Sequence, residues 1–238
     1  MKPVFPAFLL ASAAIIAPLH AQAPDANAMI RGIRLSATLQ QMDLNGVIQK
    51  EGQADVPVSL FVRNNNMQFH LSDTDRFHIR MGDESAKLMT VVDDKGTTKD
   101  FPASKLTQRI AGTDVTYEDL TLRFLYWPNA QLEGEEKIRG EDCYRVRINN
   151  PGKEGAFGVV YVWVHKKYGA FWQIRAHDFK GKALKEFQVN DVMKLPDGKG
   201  YTIKEMLVNS LSPDLRVTSK TYLRFNKPQG GPKEFKRR

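Results

Sequence analysis

Side chains alternate between apolar and polar through most of this chain. That period of two restricts the fold more than any other feature. It is clearest in residues 117–225, which open with Y-E-D-L-T-L-R-F-L-Y-W-P (117–128). Six alternating segments follow. Tyr144, Val146 and Ile148 stand between Cys143, Arg145 and Arg147, and Phe157, Val159, Tyr161 and Trp163 share one parity of the next run. Trp172, Ile174 and Ala176 make the third, Phe187 and Val189 the fourth, and 203–208 the fifth. Val217, Leu223 and Phe225 close the set against Arg216, Lys220 and Arg224. Successive side chains of a strand point to opposite faces, so each run predicts a strand with one apolar face. Short turns at Tyr168-Gly169, Lys180-Gly181 and Asp197-Gly198 predict an antiparallel meander. A meander of this size must curl around something or be covered.

The pattern also holds upstream, from Asp43 to Val92. Val56, Val58, Leu60 and Val62 share a face, and Arg63-Asn64-Asn65-Asn66 reads as a turn. Met67, Phe69 and Leu71 alternate with Gln68 and His70, and Phe77, Ile79 and Met81 with Arg76, His78 and Arg80. Leu88, Met89, Val91 and Val92 form a shorter run. The expected fold is mainly β, of the α+β kind: about ten or eleven strands in one strongly curved antiparallel sheet, an incomplete barrel. Helices are expected at its open mouth. One spans 28–40, with a stripe of Met29, Ile30, Ile33, Leu35 and Leu39 and a cap from Asp25 or Asn27. A short one is expected over 101–109 behind Pro102. A longer one is expected over 113–127, capped by Thr113 or Asp114 and ended by Pro128. Its stripe is Leu120, Phe124 and Trp127, with Leu125 beside them.

Residues 1–23 read as a secretory signal with a charged start at Lys2, an apolar centre over 8–17 and cleavage after Ala21 or Ala23. The apolar centre is too short for a spanning helix, and no transmembrane span is expected in the mature chain. Residues 24–225 read as a single domain, and 226–238 as a basic tail without regular structure. The formal charge is +8; without Lys2 it is +7, and the tail's five cations against Glu234 hold +4 of that, leaving +3 on the body. So balanced a body argues against a nucleic-acid groove. Cys143 is the only cysteine, which excludes an internal disulfide and a thiolate metal cluster.

Enzyme signatures are missing. There is no G-x-S-x-G, phosphate loop or glycine-rich dinucleotide fingerprint, and no cofactor is expected. His70, His78, His165 and His177 form no H-x-H or H-x-x-x-H pair. His70 and His78 with Asp73 or Asp75 are the one thin metal arrangement, and solvent-facing strand residues are the simpler reading. Glu118 and Asp119 read as helix-start acids at the positive dipole end. The surplus is in large apolar side chains: Trp163, Trp172, Phe157, Tyr161 and Phe171 crowd two strands, and 159–164 is apolar on both faces. Such a strand is buried on both sides or faces a cavity or a partner.

Several ordered motifs carry a resemblance: D-L-T-L-R-F-L-Y-W-P, I-R-G-E-D-C-Y-R-V (138–146), V-Y-V-W-V-H-K-K-Y-G-A (160–170), D-F-K-G-K-A-L-K-E-F (178–187) and, upstream, Q-R-I-A-G-T-D-V-T-Y-E-D-L (108–120). Over roughly 72–225 the chain resembles the LolA-like outer-membrane lipoprotein-sorting family. The resemblance implies an incomplete barrel around an apolar cavity, with no cofactor and no bond chemistry. It also implies a periplasmic carrier of Gram-negative type, which takes acylated lipoprotein or lipid from an inner-membrane release complex to an outer-membrane acceptor. Burying about 0.8 kcal/mol per methylene, a sixteen-carbon chain needs on the order of 12 kcal/mol of shielding to cross water. A movable helix lid would let such a cavity fill and empty. The lining expected by parity is Val58, Leu60, Val62, Met67, Phe69, Leu71, Phe77, Ile79, Tyr161 and Trp163, faced by Leu120, Phe124 and Trp127. Arg63, Arg76 and Arg80 are equal candidates for the arginine that carriers of this family hold in the cavity. Three other readings compete: a sensor of the same fold that binds lipid or a protein partner, an envelope-assembly part that docks by a sheet edge or the tail, and a lipid hydrolase using Ser59 or Ser72 with His70.

Overall fold

The computed structural model describes residues 24–38, 41–72, 75–195, 198 and 200–228. The expected signal segment, most of the tail, Leu39, Asp73 and Asp197 lie outside the described residues. One helix, α1 (Ala26–Thr38), precedes six strands: β1 (Met42–Lys50), β2 (Val56–Arg63), β3 (Asn66–His70), β4 (Arg76–Met81), β5 (Ala86–Val91) and β6 (Thr98–Asp100). A crossover with 3-10 turns at Ala103–Lys105, Ile110–Gly112 and Arg123–Tyr126 and the short helix α2 (Tyr117–Thr121) follows. Seven strands then complete the chain: β7 (Gln131–Ile138), β8 (Glu141–Asn149), β9 (Val159–His165), β10 (Phe171–His177), β11 (Ala183–Lys194), β12 (Tyr201–Leu211) and β13 (Val217–Phe225).

All thirteen strands form one antiparallel sheet in the order β6-β5-β4-β3-β2-β1-β13-β12-β11-β10-β9-β8-β7. The chain enters in the middle of this curved open sheet, winds out to one edge at β6, crosses to the other at β7 and winds back until β13 lies beside β1. The sheet has more strands than the pattern suggests. In β1 the apolar row Met42, Leu44, Ile48 is interrupted by Gly46, which faces Phe225; a Cβ there would lie 2.0 Å from the Arg224 carbonyl oxygen. β6 has three residues, all exposed, and β7 is an edge strand with wet positions on both faces, so alternation fades in each.

The helices are shorter than the sequence suggests. α1 lies where expected and buries Ala26, Ile30 and Ile33. The expected helix over 101–109 is only the turn Ala103–Lys105. The one over 113–127 shrinks to α2 because Thr113 and Asp114 do not cap it: the Thr113 hydroxyl donates to the Ile110 carbonyl and Asp114 bonds the sheet. Thr116 is the cap instead, in a reciprocal box with Asp119, and Leu122 turns the chain with φ +46°.

The core lies between one face of the sheet and the covering α1 and crossover. In antiparallel pairs, opposed residues share a face. The register therefore traces the interior from Phe77 through Phe69, Leu60 and Leu44, and on the other half from Leu223 through Met206. Phe77, Phe124, Phe157 and Phe187 are wholly enclosed there.

Candidate functional site

The interior is one continuous apolar cluster. It gathers Val58, Leu60, Val62, Phe69, Leu71, Phe77 and Ile79 with Leu120, Phe124 and Trp127 of the crossover, and Met67 packs on it partly buried. Phe69 stacks on Phe77 at 4.9 Å between ring centroids, and Phe77 meets Tyr117 edge-on at 5.6 Å. Phe124 lies between Trp127 and Phe157. The expected interior of β2, β3 and β4 is thus brought together with the crossover stripe.

Tyr161 and Trp163 are on the opposite face, which corrects the expectation for β9. Val160 and Val162 are opposed to Ile148 and Val146 and enter the core, whereas Tyr161 and Trp163 are opposed to Arg147 and Arg145. Parity misleads here because both faces of the run are apolar. Trp163 is 3 % exposed although it lies outside the core. Its indole N–H donates to Glu136 Oε2 at 2.9 Å and the Arg175 guanidinium covers its ring at 5.2 Å. The three arginine candidates also leave the interior. Arg63 pairs with Asp43 at 2.5 Å, Arg76 with Asp94 at 2.8 Å, and Arg80 is exposed opposite Lys87. Lys50 and Lys185, by contrast, reach buried carboxylates.

Those two lysines belong to a polar latch that sequence reasoning missed. It fastens the crossover to the end of the sheet formed by the turns at 51–55, 178–182 and 212–216. Asp114 has no solvent exposure. Its carboxylate accepts from Ser219 Oγ at 2.7 Å, Ser210 Oγ and Thr221 Oγ1 at 2.9 Å, and Lys50 Nζ at 3.3 Å. Burial alone would raise its pKa, but the donors Ser219, Thr221, Ser210 and Lys50 outweigh it and hold the carboxyl below its ordinary value. Lys185 Nζ donates to Asp119 Oδ2 at 2.5 Å and to the Asp114 carbonyl at 2.6 Å. Burial pushes Asp119 above its ordinary value, opposed by Lys185.

Glu118 closes the adjoining gap. Its Oε2 accepts the Ala156 N–H at 2.8 Å, its Oε1 has no hydrogen-bond partner, and burial raises its pKa. Gly155 sits against it at φ +82°, where a Cβ would lie 2.0 Å from Oε1. On the β3–β4 side, Asp75 accepts from Lys105 at 2.8 Å and from the Tyr117 hydroxyl. The legible signals were the T-x-x-D capping box at Thr116 and the hydroxyls Ser210, Ser219 and Thr221 at interior positions of otherwise apolar strands.

The remaining chemical candidates lie outside the cluster. His70 and His78 share the outer face with Gln68, to which the His70 ring bonds at 2.7 Å, while His78 bonds Asn66 at 2.8 Å. Burial, then Arg76 and Arg80 respectively, lowers their pKa values. Asp75, offered as a third metal ligand, is taken by Lys105 and Tyr117. Among the described residues no group of three or more His, Cys, Asp or Glu could hold a metal ion. Ser59 and His70 are opposed across β2 and β3 in an outer cleft of about 600 Å³ that Ser72 and Arg76 also line, but the Ser59 hydroxyl donates to Asn45 at 2.7 Å. Cys143 is enclosed opposite His165, and burial pushes its thiol up to about 11. What the arrangement offers is an apolar interior closed by polar bonds at one end. No helix among the described residues is long and apolar enough to cross a membrane.

A family model described as "Uncharacterized protein" matches residues 85–233, more than half of the chain, and the chain belongs to that family. No curated protein matches the chain. Among solved structures, the chain is similar to a putative outer membrane lipoprotein-sorting protein domain from Vibrio parahaemolyticus, with TM-score 0.64 and 15% identity over 86% of this chain and 93% of that one. It is also similar to a DUF1329 family protein from Desulfovibrio piger, with TM-score 0.61 and 16% identity over 87% and 95%. A LolA superfamily protein from Nitrosomonas europaea aligns with TM-score 0.56 and 13% identity over 88% and 96%. At these identities the likeness is one of fold.

Proposed function

We propose that this protein is a periplasmic, non-enzymatic carrier that shelters the acyl chains of a lipoprotein or lipid against the interior of its sheet on the way to the outer membrane. One observation carries the reading: a single apolar cluster runs under nearly the whole sheet, and the segment closing it is held by hydrogen bonds and ion pairs rather than by strand pairing. The family's structural relatives, among them one described as a lipoprotein-sorting domain, support the same reading.

Native mass spectrometry with lipid extraction, on protein purified from a bacterial envelope fraction, tests it. The expected result is a co-purifying acylated peptide or phospholipid released under denaturing conditions. A clean unliganded mass, together with no uptake of a fluorescent fatty acid, would overturn the proposal and leave docking to a protein partner as the better account.

A further inference from the structure

We infer that the acyl chain passes in and out at the end of the sheet opposite the latch, through a mouth lined by methionines, while the crossover end stays shut. The inference rests on the proposed reading of the interior as a lipid site. It begins with where the methionines fall. The chain has eight. Met42, Met81, Met193 and Met206 lie in the interior cluster, and Met29 and Met67 pack on it.

Four of these six stand at one rim. Met42 and Met67 flank Val62, the last interior residue of β2 before the turn at 64–65. Met81 ends β4, and Met193 is the last but one residue of β11. Antiparallel order places the start of β1, the turns at 64–65 and 82–85, the end of β11 and the start of β12 together at this end. The latch residues Asp114, Glu118 and Asp119 bond to the other end, at Lys50, Ala156, Lys185, Ser210, Ser219 and Thr221.

The two ends therefore differ in what opening them requires. At the latch end, opening would strip buried carboxylates of their donors, which is among the costliest local changes a fold can undergo. At the other end, Met42, Met81 and Met193 keep 6–8 % exposure, against 0–1 % for Phe77, Phe124, Phe157 and Phe187 elsewhere in the cluster. Methionine is unbranched, polarisable and adaptable, so a rim of thioethers can part around a flexible hydrocarbon and close again with little strain. A β-branched rim would be stiff.

Two measurements on the full mature chain test this. The first is methyl NMR with methionine ε-¹³CH₃ labels, titrated with dodecanoate. Saturable shifts are expected at Met42, Met67, Met81 and Met193, while Met89, buried on the outer face opposite His78, stays in place. The second is stopped-flow uptake of a fluorescent fatty acid by the variant Met42→Ile/Met67→Ile/Met81→Ile. Its uptake rate is expected to fall by about tenfold with the equilibrium affinity held within about threefold, because volume is conserved and flexibility is lost. Binding with unmoved rim methyls, or an unchanged uptake rate in a folded variant, would overturn the inference and leave the lipid reading standing. No binding of either fatty acid would overturn both.

Discussion

At the scale of single residues, Asp114 holds the closure together. Four donors converge on a carboxylate that water does not reach, and they come from β1, β12 and β13. Asp114→Ala leaves Lys50 and three hydroxyls without their acceptor. The expected loss is about 3–5 kcal/mol in urea unfolding, the usual cost of breaking a buried pair by removing one partner. The sign of its pH dependence follows from the lowered pKa. Its contribution is full above the ordinary aspartate range and is lost as pH falls through the lowered value. The stability gap between the wild-type chain and Asp114→Asn should thus be constant near neutrality and shrink below about pH 4. A gap that stays open well below that pH would assign the role to shape rather than charge. None of this was legible locally, because an acid at the start of a helical pattern reads as a cap. Three of its donors lie about a hundred residues downstream, and the fourth, Lys50, lies well upstream in β1.

At the scale of elements, strands were legible and their partners were not. Alternation locates β2, β3, β4 and β8 to β13, since each has one face against the core. It fails in β6 and β7, whose edge positions give both faces to water, and it fails to orient β9, where Val160 and Trp163 are equally apolar but lie on opposite faces. The helix over 113–127 failed for a different reason: tertiary hydrogen bonds took the residues that would have begun it, and a left-handed Leu122 ended it. The β8–β9 loop shows how tightly the crossover is seated. Gly155 combines φ +82° with a space that Glu118 fills. Gly155→Ala is expected to cost about 1–3 kcal/mol in thermal unfolding, and to raise hydrogen exchange at Ala156 by releasing its bond to Glu118. Unchanged exchange there would show that the loop is held by other contacts.

At the scale of the whole molecule, the sheet order explains why a chain with so few helical residues encloses so large an apolar face. The sheet is a meander whose first and last strands meet in the middle, which leaves two free edges and a crossover that must span them. The pairing of β1 with β13 joins residues far apart in the chain, so no local pattern could report it. The candidate interior was largely legible, because ten of its thirteen expected residues are buried in one cluster and Met67 packs against it, with only Tyr161 and Trp163 turned outward. The closure at one end was not legible, and with it the difference between the two ends. The most direct measurement of the central claim is photolabelling of the mature protein with a diazirine-bearing fatty acid, followed by peptide mapping. Adducts confined to interior positions such as Phe69, Phe77 and Met206 are the result this account predicts. Labelling confined to the outer face, for example at Phe61 or Trp172, or no labelling above a soluble control protein, would contradict it.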